Sequence, residues 1–471
     1  MRLAWFTPLP PSRSGIAAYS TDLLPLLAER YQIDVFTTPA PAGREPAGHP
    51  PVFTAHDFAW KHVTAPYDLV VYQLGNATCH DFIWPHLFRY PGLVVLHDAQ
   101  LHHARARSLL ERGRQEDYCA EFHVNHPGAP EDLPRLVIDD LADASYYFWP
   151  MLRLVVETAR LVAVHAPRLA HDLAGRFDRE VATIRMGVPD PRGARADVEP
   201  GVDPVIADKA RRAACRARHG IAPDAVVLAA FGLVTPEKRI SQALHVLPDV
   251  ARVVPSVQLL LVGETAPHYD VLAEARTLGV DDRITITGYV PDEELPTYLA
   301  IADVCLCLRW PTGRETSASW LRALAAGRPT IITDLAHTDE IPSLDPRTWL
   351  LQPAGSGDAV AEPSPRAACV SIDILDERHS LGLAMRRLAT DAALRDRLGY
   401  AARAFWEDHH TLACMVEDYE RAIARTLELP VRRPAGLPAH LLEDGTAQVR
   451  QMVKALGVRV DFLEEKDAAQ G

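Results

Sequence analysis

No stretch of this chain approaches the roughly 20 consecutive apolar residues that a helix needs to span a bilayer. Apolar residues fall instead in short clusters separated by polar turns. The N-terminus, MRLAWFTPLPPS, sets one Arg before a few apolar residues and then prolines, too short for the apolar core of a signal peptide and better read as a first buried strand. Positive charge is in deficit, with 62 acidic against 49 basic residues and a net charge of -13. That excludes nucleic acid as the main partner, although a local basic cleft for phosphates remains compatible. Cysteine is sparse and odd in number, seven in all, with no CxxC pair. Neither a zinc site nor a disulfide framework is expected, and a reducing cytoplasm fits best. Cys305 and Cys307 alternate in VCLCL and read as small buried hydrophobes on one face of a strand.

What is present is a repeated rhythm. With 471 residues the chain exceeds a single core. Residues 2–6, 31–38, 67–74, 92–98, 160–166 and 181–188 read as strands, with helix-like segments among them. β-Branched runs without alternation mark strands buried on both faces, hence a parallel sheet with right-handed crossovers. Residues 189–223 then change character. PDPRGARADVEPGVDP has almost no large apolar residues, and a short basic helix, ADKARRAACRARHG, follows it. This is the best boundary in the chain. Beyond it the rhythm restarts, with strands at 225–232, 257–263, 283–290, 304–310 and 329–334. Residues 354–370 read as a loop insertion, 376–407 and 410–428 as two helices, and 436–466 as a short charged helix.

The expected architecture is therefore α/β: two Rossmann-like, doubly wound domains facing across a cleft. The expected division is 1–190 for the first domain, 191–224 for a linker and 225–400 for the second. A helix at 401–429 packs back towards the first domain, and 430–471 form a peripheral tail. Doubly wound sheets bind ligands outside the carboxyl ends of their strands, so the cleft is the expected site.

Five segments carry chemistry. In GRETSASWLRALAAGRP (313–329) a strand delivers a loop that opens a helix, with Thr316, Ser317 and Ser319 as cap candidates. Glu315 stands at the entrance, beside free amides that favour phosphate or hydroxyl oxygens. Its alternative role is that of a solvated acid stabilising the helix dipole. In FGLVTPEKRI (231–240) a strand ends at Gly232, and Lys238 and Arg239 precede a helix, where cations oppose the dipole and so suit a ligand better than a fold. In LAWFTPLPPSRSGIAAYS (3–20) Gly15 permits close backbone approach. In VVLHDAQLHH (94–103), His97 and Asp98 end a buried strand, with Gln73 and Asn76 ending its neighbour. His97 is read either as a sugar ligand or as a hydrogen-bonded core histidine. Asp98 with His102 lacks a full ligand set, so no metal is expected. VGETAPHYD (262–270) and ITGYVPDEEL (286–295) supply Gly263, Tyr289 and Val290 at strand ends.

These segments resemble glycosyltransferase family 4, retaining enzymes of the GT-B fold. LRALAAGRP (321–329) matches the family's Leu-Glu-Ala-Met-Ala-x-Gly-x-Pro run, except that Arg322 stands where its second Glu would be. Gly232 and Pro236-Glu237-Lys238 match a second run, with Leu233 replacing the usual Arg. The sequence thus resembles a divergent branch with a Gly-Arg-Glu-Thr-Ser donor loop. The likeness is clear over 225–345 and 400–428, thinner over 1–190, and does not extend to 430–471.

The resemblance implies a cytoplasmic hexosyltransferase of glycan biosynthesis. It would move a hexose with retention from a nucleoside-diphosphate sugar to a saccharide, lipid-linked or small-molecule acceptor bound by the first domain. It implies Lys238, Arg239, Glu315 and His97 as catalytic, the first two neutralising the diphosphate. Gly15, Gly232, Gly263, Tyr289, Val290, Thr316, Ser317 and Ser319 would bind the donor. Gln73, Asn76 and Asp98 would line the acceptor side. The leaving β-phosphate would take the acceptor's proton, with no tightly bound cofactor. No transmembrane segment is expected, and peripheral membrane contact is compatible. No lysine pattern for pyridoxal phosphate appears, which disfavours a phosphorylase. The missing Glu and Arg also fit a different reading, a catalytically weak or inactive nucleotide-sugar-binding scaffold that partners another transferase.

Overall fold

The computed structural model describes residues 1–38, 48–141, 145–192, 204–352, 366–443 and 452–457. They form two seven-stranded, wholly parallel sheets. The first sheet holds β1 (Arg2–Phe6), β2 (Gln32–Thr37), β3 (Val52–Thr54), β4 (Leu69–Leu74), β5 (Leu93–Leu96), β6 (Leu161–Val164) and β7 (Val181–Thr183). Their order is β3-β2-β1-β4-β5-β6-β7. The second holds β8 (Val226–Phe231), β9 (Val257–Val262), β10 (Ile284–Ile286), β11 (Val304–Cys307), β12 (Thr330–Thr333), β13 (Ser343–Leu344) and β14 (Cys369–Ile372). Its order is β10-β9-β8-β11-β12-β14-β13.

Each central strand is buried on both faces, as its unbroken apolar run requires: all of β4, β5, β6, β8 and β12 is buried. In both sheets the order reverses beside the first strand, between β1 and β4 and between β8 and β11. That switch point opens a crevice at the carboxyl ends.

Several elements differ from the sequence reading. Strands β3, β13 and β14 were not expected. Two to four residues are too few for a periodic signal, and β14 directly follows the Gly/Pro/Ser-rich stretch. Most of the expected loop at 354–370 lies outside the described residues, but Cys369 and Val370 belong to β14. The single helix expected over 376–407 is two, Glu377–Thr390 and Ala392–His409. Asp391 leaves helical geometry (φ -109°, ψ 89°) and caps the second helix by accepting the Leu394 N–H at 2.9 Å.

The basic helix spans Pro204–Arg218 and packs against helix Leu295–Ile301 of the second half. The guanidinium of Arg216 is buried, donating to the Ile301 and Ala225 carbonyls and pairing with Asp303. This ties the helix to the second sheet's layer. Helix Leu412–Glu428 lies against helix Gly15–Ala28 and strands β5, β6 and β7 of the first sheet. There Tyr419 and Tyr19 share a 2.7 Å hydrogen bond. Of the tail, residues 439–442 form a short helix whose Leu441 is buried against the first half; most of 443–466 lies outside the described residues.

The two halves touch at several points around the cleft. The Ala99 N–H donates to the Gly313 carbonyl at 2.7 Å. Arg13 pairs with Glu264 at 2.9 Å, Arg168 with Asp339 at 3.3 Å, and Arg314 with Asp172.

Candidate functional site

A cavity of about 310 Å³ lies between the halves, at the carboxyl ends of β8, β11 and β12. Lys238, Arg309, Glu315, Ser317 and Ser319 supply its polar wall from the second half, and His165 faces it from the first. Phe231, Leu308, Ile332 and Ile341 add apolar surface. The wall is cationic and hydroxyl-rich at one end and apolar at the other, which suits a ligand with both a charged and a ring-like part.

Lys238 is placed by the loop after β8. Gly232 there has φ +87°, a conformation that favours glycine. A β-carbon on Gly232 would come within 2.7 Å of Lys238 Nζ. A β-carbon on Gly263 would in turn collide with the Gly232 carbonyl. Both glycines therefore keep room for the amine. Gly232 thus lies beside Lys238 and Ser319 of the cavity wall, and Gly263 lies behind Gly232. Lys238 Nζ donates to the Phe231 carbonyl. Burial, reinforced by the nearby Arg309 charge, lowers its amine to about 7. A buried cation with no carboxylate partner among the described residues is held at a cost, and an anionic ligand removes that cost.

Glu315 is fixed from both sides. Arg309 Nε approaches its Oε1 at 2.7 Å, and the Thr312 hydroxyl donates to Oε2 at 2.9 Å. Helix Ala318–Ala325 begins beside it, with the Ser317 hydroxyl accepting the Trp320 N–H at 3.3 Å. Thr316, Ser317 and Ser319 all line the cavity. The free amides of this helix start and the Lys238 amine thus border one space.

Other expected residues stand elsewhere. Arg239 does not reach the cavity: its guanidinium forms a two-pronged pair with Glu377, Nε to Oε1 at 2.8 Å. Sequence could not anticipate a partner 138 residues away. His97 is buried and both its ring nitrogens are taken, Nε2 by Gln73 at 2.8 Å and Nδ1 by His165 at 3.1 Å. It is the hydrogen-bonded core histidine, and burial keeps it neutral by lowering its pKa well below the usual value. Gln73 is fully buried in the same network, with Tyr419 within 3.0 Å of its Nε2. The Asn76 side chain is spent on capping, its Oδ1 accepting the Ala104 N–H at 2.9 Å.

Gly15, Tyr289 and Val290 do not line the cavity. Gly15 opens its helix with nothing within 4 Å of where a β-carbon would stand. Tyr289 is exposed with the Arg13 guanidinium 4.3 Å above its ring, and Val290 packs into an apolar cluster. Arg322, in place of the family's second Glu, bridges Asp292 at 3.3 Å and Asp22 of the first half at 3.8 Å. Asp98 and His102 do not converge: His102 Nε2 lies 2.7 Å from the Tyr118 hydroxyl. Among the described residues no group of three or more His, Cys, Asp or Glu could hold a metal ion.

Of the cavity residues that escaped the sequence reading, two carried a legible signal. Arg309 and His165 each close a buried strand at its carboxyl end, the same signal that drew attention to His97. For Arg309 the signal was a cation at the end of VCLCLRW, directly before the donor loop.

Comparison with known proteins adds the following. Residues 225–363 match the family model described as glycosyl transferases group 1. A GDP-mannose-dependent alpha-(1-6)-phosphatidylinositol monomannoside mannosyltransferase of Mycolicibacterium smegmatis is 36% identical over 191 residues, 39% of this chain and 48% of that protein. A D-inositol 3-phosphate glycosyltransferase of Segniliparus rotundus is 33% identical over 111 residues, 23% of this chain and 25% of that one. The matches thus span about half or less of these relatives' length. Among solved structures, sucrose-phosphate synthase from Thermosynechococcus elongatus aligns with a TM-score of 0.59 at 15% identity, covering 91% of this chain and 99% of that one. Anabaena HepE in complex with UDP aligns with a TM-score of 0.56 at 15% identity, covering 90% and 100%. At such identity the likeness is one of fold, the GT-B arrangement. No helix of the described residues is long and apolar enough to cross a membrane.

Proposed function

We propose that this chain, whose residues 225–363 match the model of group 1 glycosyl transferases, transfers a hexose from a nucleoside-diphosphate sugar to an acceptor hydroxyl with retention of configuration. The observation that carries this reading is the meeting of Lys238, the 318–325 helix start and Glu315 in one interdomain cavity. Breaking the bond between sugar and diphosphate builds negative charge on the leaving phosphate. A desolvated cation and aligned amides stabilise that charge more in the transition state than in the ground state. Glu315, fixed between Arg309 and Thr312, accepts hydrogen bonds from sugar hydroxyls. Among the described residues, Glu315 of the cavity wall already has donors on both oxygens, which favours the departing phosphate as acceptor of the incoming hydroxyl's proton. Arg309 takes over the role that Arg239 was expected to share.

The relatives are named for GDP-mannose and for inositol-bearing acceptors, so these are the first substrates to test. Thermal unfolding with GDP, UDP, ADP and TDP, without metal, tests the donor site. A ligand of the native state alone raises stability in proportion to the logarithm of its excess over Kd, about 2.7 kcal/mol at a hundredfold excess. The expected result is selective stabilisation by one nucleotide, with GDP first, followed by turnover of the matching sugar donor. Retention is read from the anomeric proton coupling of the first-formed product. Absence of a response to every nucleotide would remove the donor site from the cavity.

A further inference from the structure

Two carboxylates, one from each half, face the same small space. A β-carbon placed on Gly313 would lie 3.3 Å from Glu315 Oε2, 3.4 Å from Asp98 Oδ1 and 3.6 Å from Gln100 Cβ. Gly313 does not have positive φ, so its backbone does not require the missing side chain. What the glycine leaves is a methyl-sized notch between the carboxylates. Its walls are fixed. The Asn76 main-chain N–H donates to Asp98 Oδ2 at 2.8 Å, and the Ala99 N–H to Gly313 carbonyl bond closes the two halves at this point. Both oxygens of Glu315 already have donors. Asp98 Oδ1 has none among the described residues, and Asp98 is only partly buried.

Resting on the donor reading above, we infer that Asp98 is the residue that takes the acceptor's hydroxyl, holding it in this notch opposite Glu315 and aimed at the donor sugar. A hydroxyl donating to Oδ1 keeps its lone pairs for the anomeric carbon, and the charge-assisted bond fixes its approach. During transfer the acceptor oxygen bonds to the anomeric carbon while that carbon's bond to the diphosphate oxygen breaks. The electron pair leaves with the diphosphate, and as charge builds there the hydroxyl proton shifts from its hydrogen bond to Asp98 onto that departing phosphate. Asp98 stays ionised and serves by position.

The charged and titratable groups around Asp98 are Glu315, Arg309 and His80. His80 Nε2 lies 3.0 Å, and Asp98 Oδ2 3.3 Å, from the point where a Gly75 β-carbon would stand. Burial keeps His80 neutral at working pH, lowering it to about 4. Burial first, and then the Glu315 charge, raise the Asp98 carboxyl to about 6. A hydroxyl needs the ionised form as its hydrogen-bond acceptor, so at saturating donor the rate falls as pH drops through that value.

Water is an acceptor that every preparation contains. The test therefore follows slow hydrolysis of the nucleotide sugar selected by the nucleotide panel, from pH 5 to 8. It uses wild type, Asp98→Asn and Gly313→Ala. Asp98→Asn should lower the rate at pH 7.5 by at least about tenfold and remove the acid limb that wild type shows near pH 6. Gly313→Ala, which fills the notch, should lower it comparably. Stabilisation by the nucleoside diphosphate should survive in both variants, which a merely unfolded or misfolded variant would lose. An Asp98→Asn protein that hydrolyses donor within twofold of wild type, or keeps the acid limb, overturns the assignment. A wild type that no nucleotide stabilises overturns the donor reading itself.

Discussion

Methionine in place of Lys238 should raise the melting temperature of the ligand-free protein and abolish its response to nucleoside diphosphates. The amine is buried beside Arg309 and titrates near 7 rather than at its ordinary value of 10.5. A base whose pKa is depressed by folding destabilises the native state wherever the unfolded chain is protonated. The cost begins below pH 10.5, grows as pH falls, and is fully present below about pH 7. Methionine fills nearly the same volume without the charge. The variant's gain should therefore be a few degrees at pH 6–7, in line with stability given up at functional sites, and should fade towards pH 10. Turnover should fall about a hundred- to a thousandfold, the usual effect of removing one fixed group that stabilises transition-state charge. Melting curves at pH 6.5 and 9, with and without nucleotide, check both parts. A destabilised variant that still responded to nucleotide would mean the amine is structural.

The largest loss of stability should come from Asp303→Ala. Asp303 sits at the start of β11, nearly buried, and receives the Val227 N–H at 2.8 Å as well as Arg216 and Arg212. Arg216 is itself buried, and without its partner a guanidinium is left uncompensated in the layer that joins helix Pro204–Arg218 to the second sheet. Breaking one side of a buried pair costs about 3–5 kcal/mol. The exposed pair Arg252–Asp249, with side chains 76% and 66% accessible, provides the contrast: Asp249→Ala should cost less than about 1 kcal/mol. Urea unfolding of the two variants side by side checks the difference.

The parallel sheets were legible because buried runs such as LVVYQL and VVLAAF need no partner information to be recognised. The short edge strands β3 and β13 were not, since two or three residues hold no period. The break at Asp391 was hidden because helical spacing runs on past it and only the cap geometry separates Glu377–Thr390 from Ala392–His409. In the cavity, Lys238 and Glu315 could be read from loops that join strand to helix. The failure over His97 is instructive. His97 and His165 occupy equivalent ends of neighbouring strands, and the pairing of β5 with β6 brings their ring nitrogens within 3.1 Å, so that each takes up a hydrogen-bonding site of the other. Arg239 likewise stays out of the cavity because Glu377, remote in sequence, takes it, while Arg309 lines the cavity instead. Arg322 shows the same limit: its partners Asp22 and Asp292 come from separate segments, one in each half.

The central claim is that Lys238 receives the diphosphate, and proton linkage tests it most directly. With its amine near 7 in the free protein, a bound diphosphate must draw a proton onto it above that pH. Affinity should be flat below pH 7 and weaken by up to tenfold per unit above it, as a one-proton linkage requires. Calorimetric titration at pH 8 of the nucleoside diphosphate that stabilises the protein, in two buffers of different ionisation enthalpy, counts the protons. The account predicts uptake of nearly one proton in wild type and no binding in Lys238→Met. Binding without proton uptake, and of equal strength in the variant, would place the diphosphate elsewhere and contradict it.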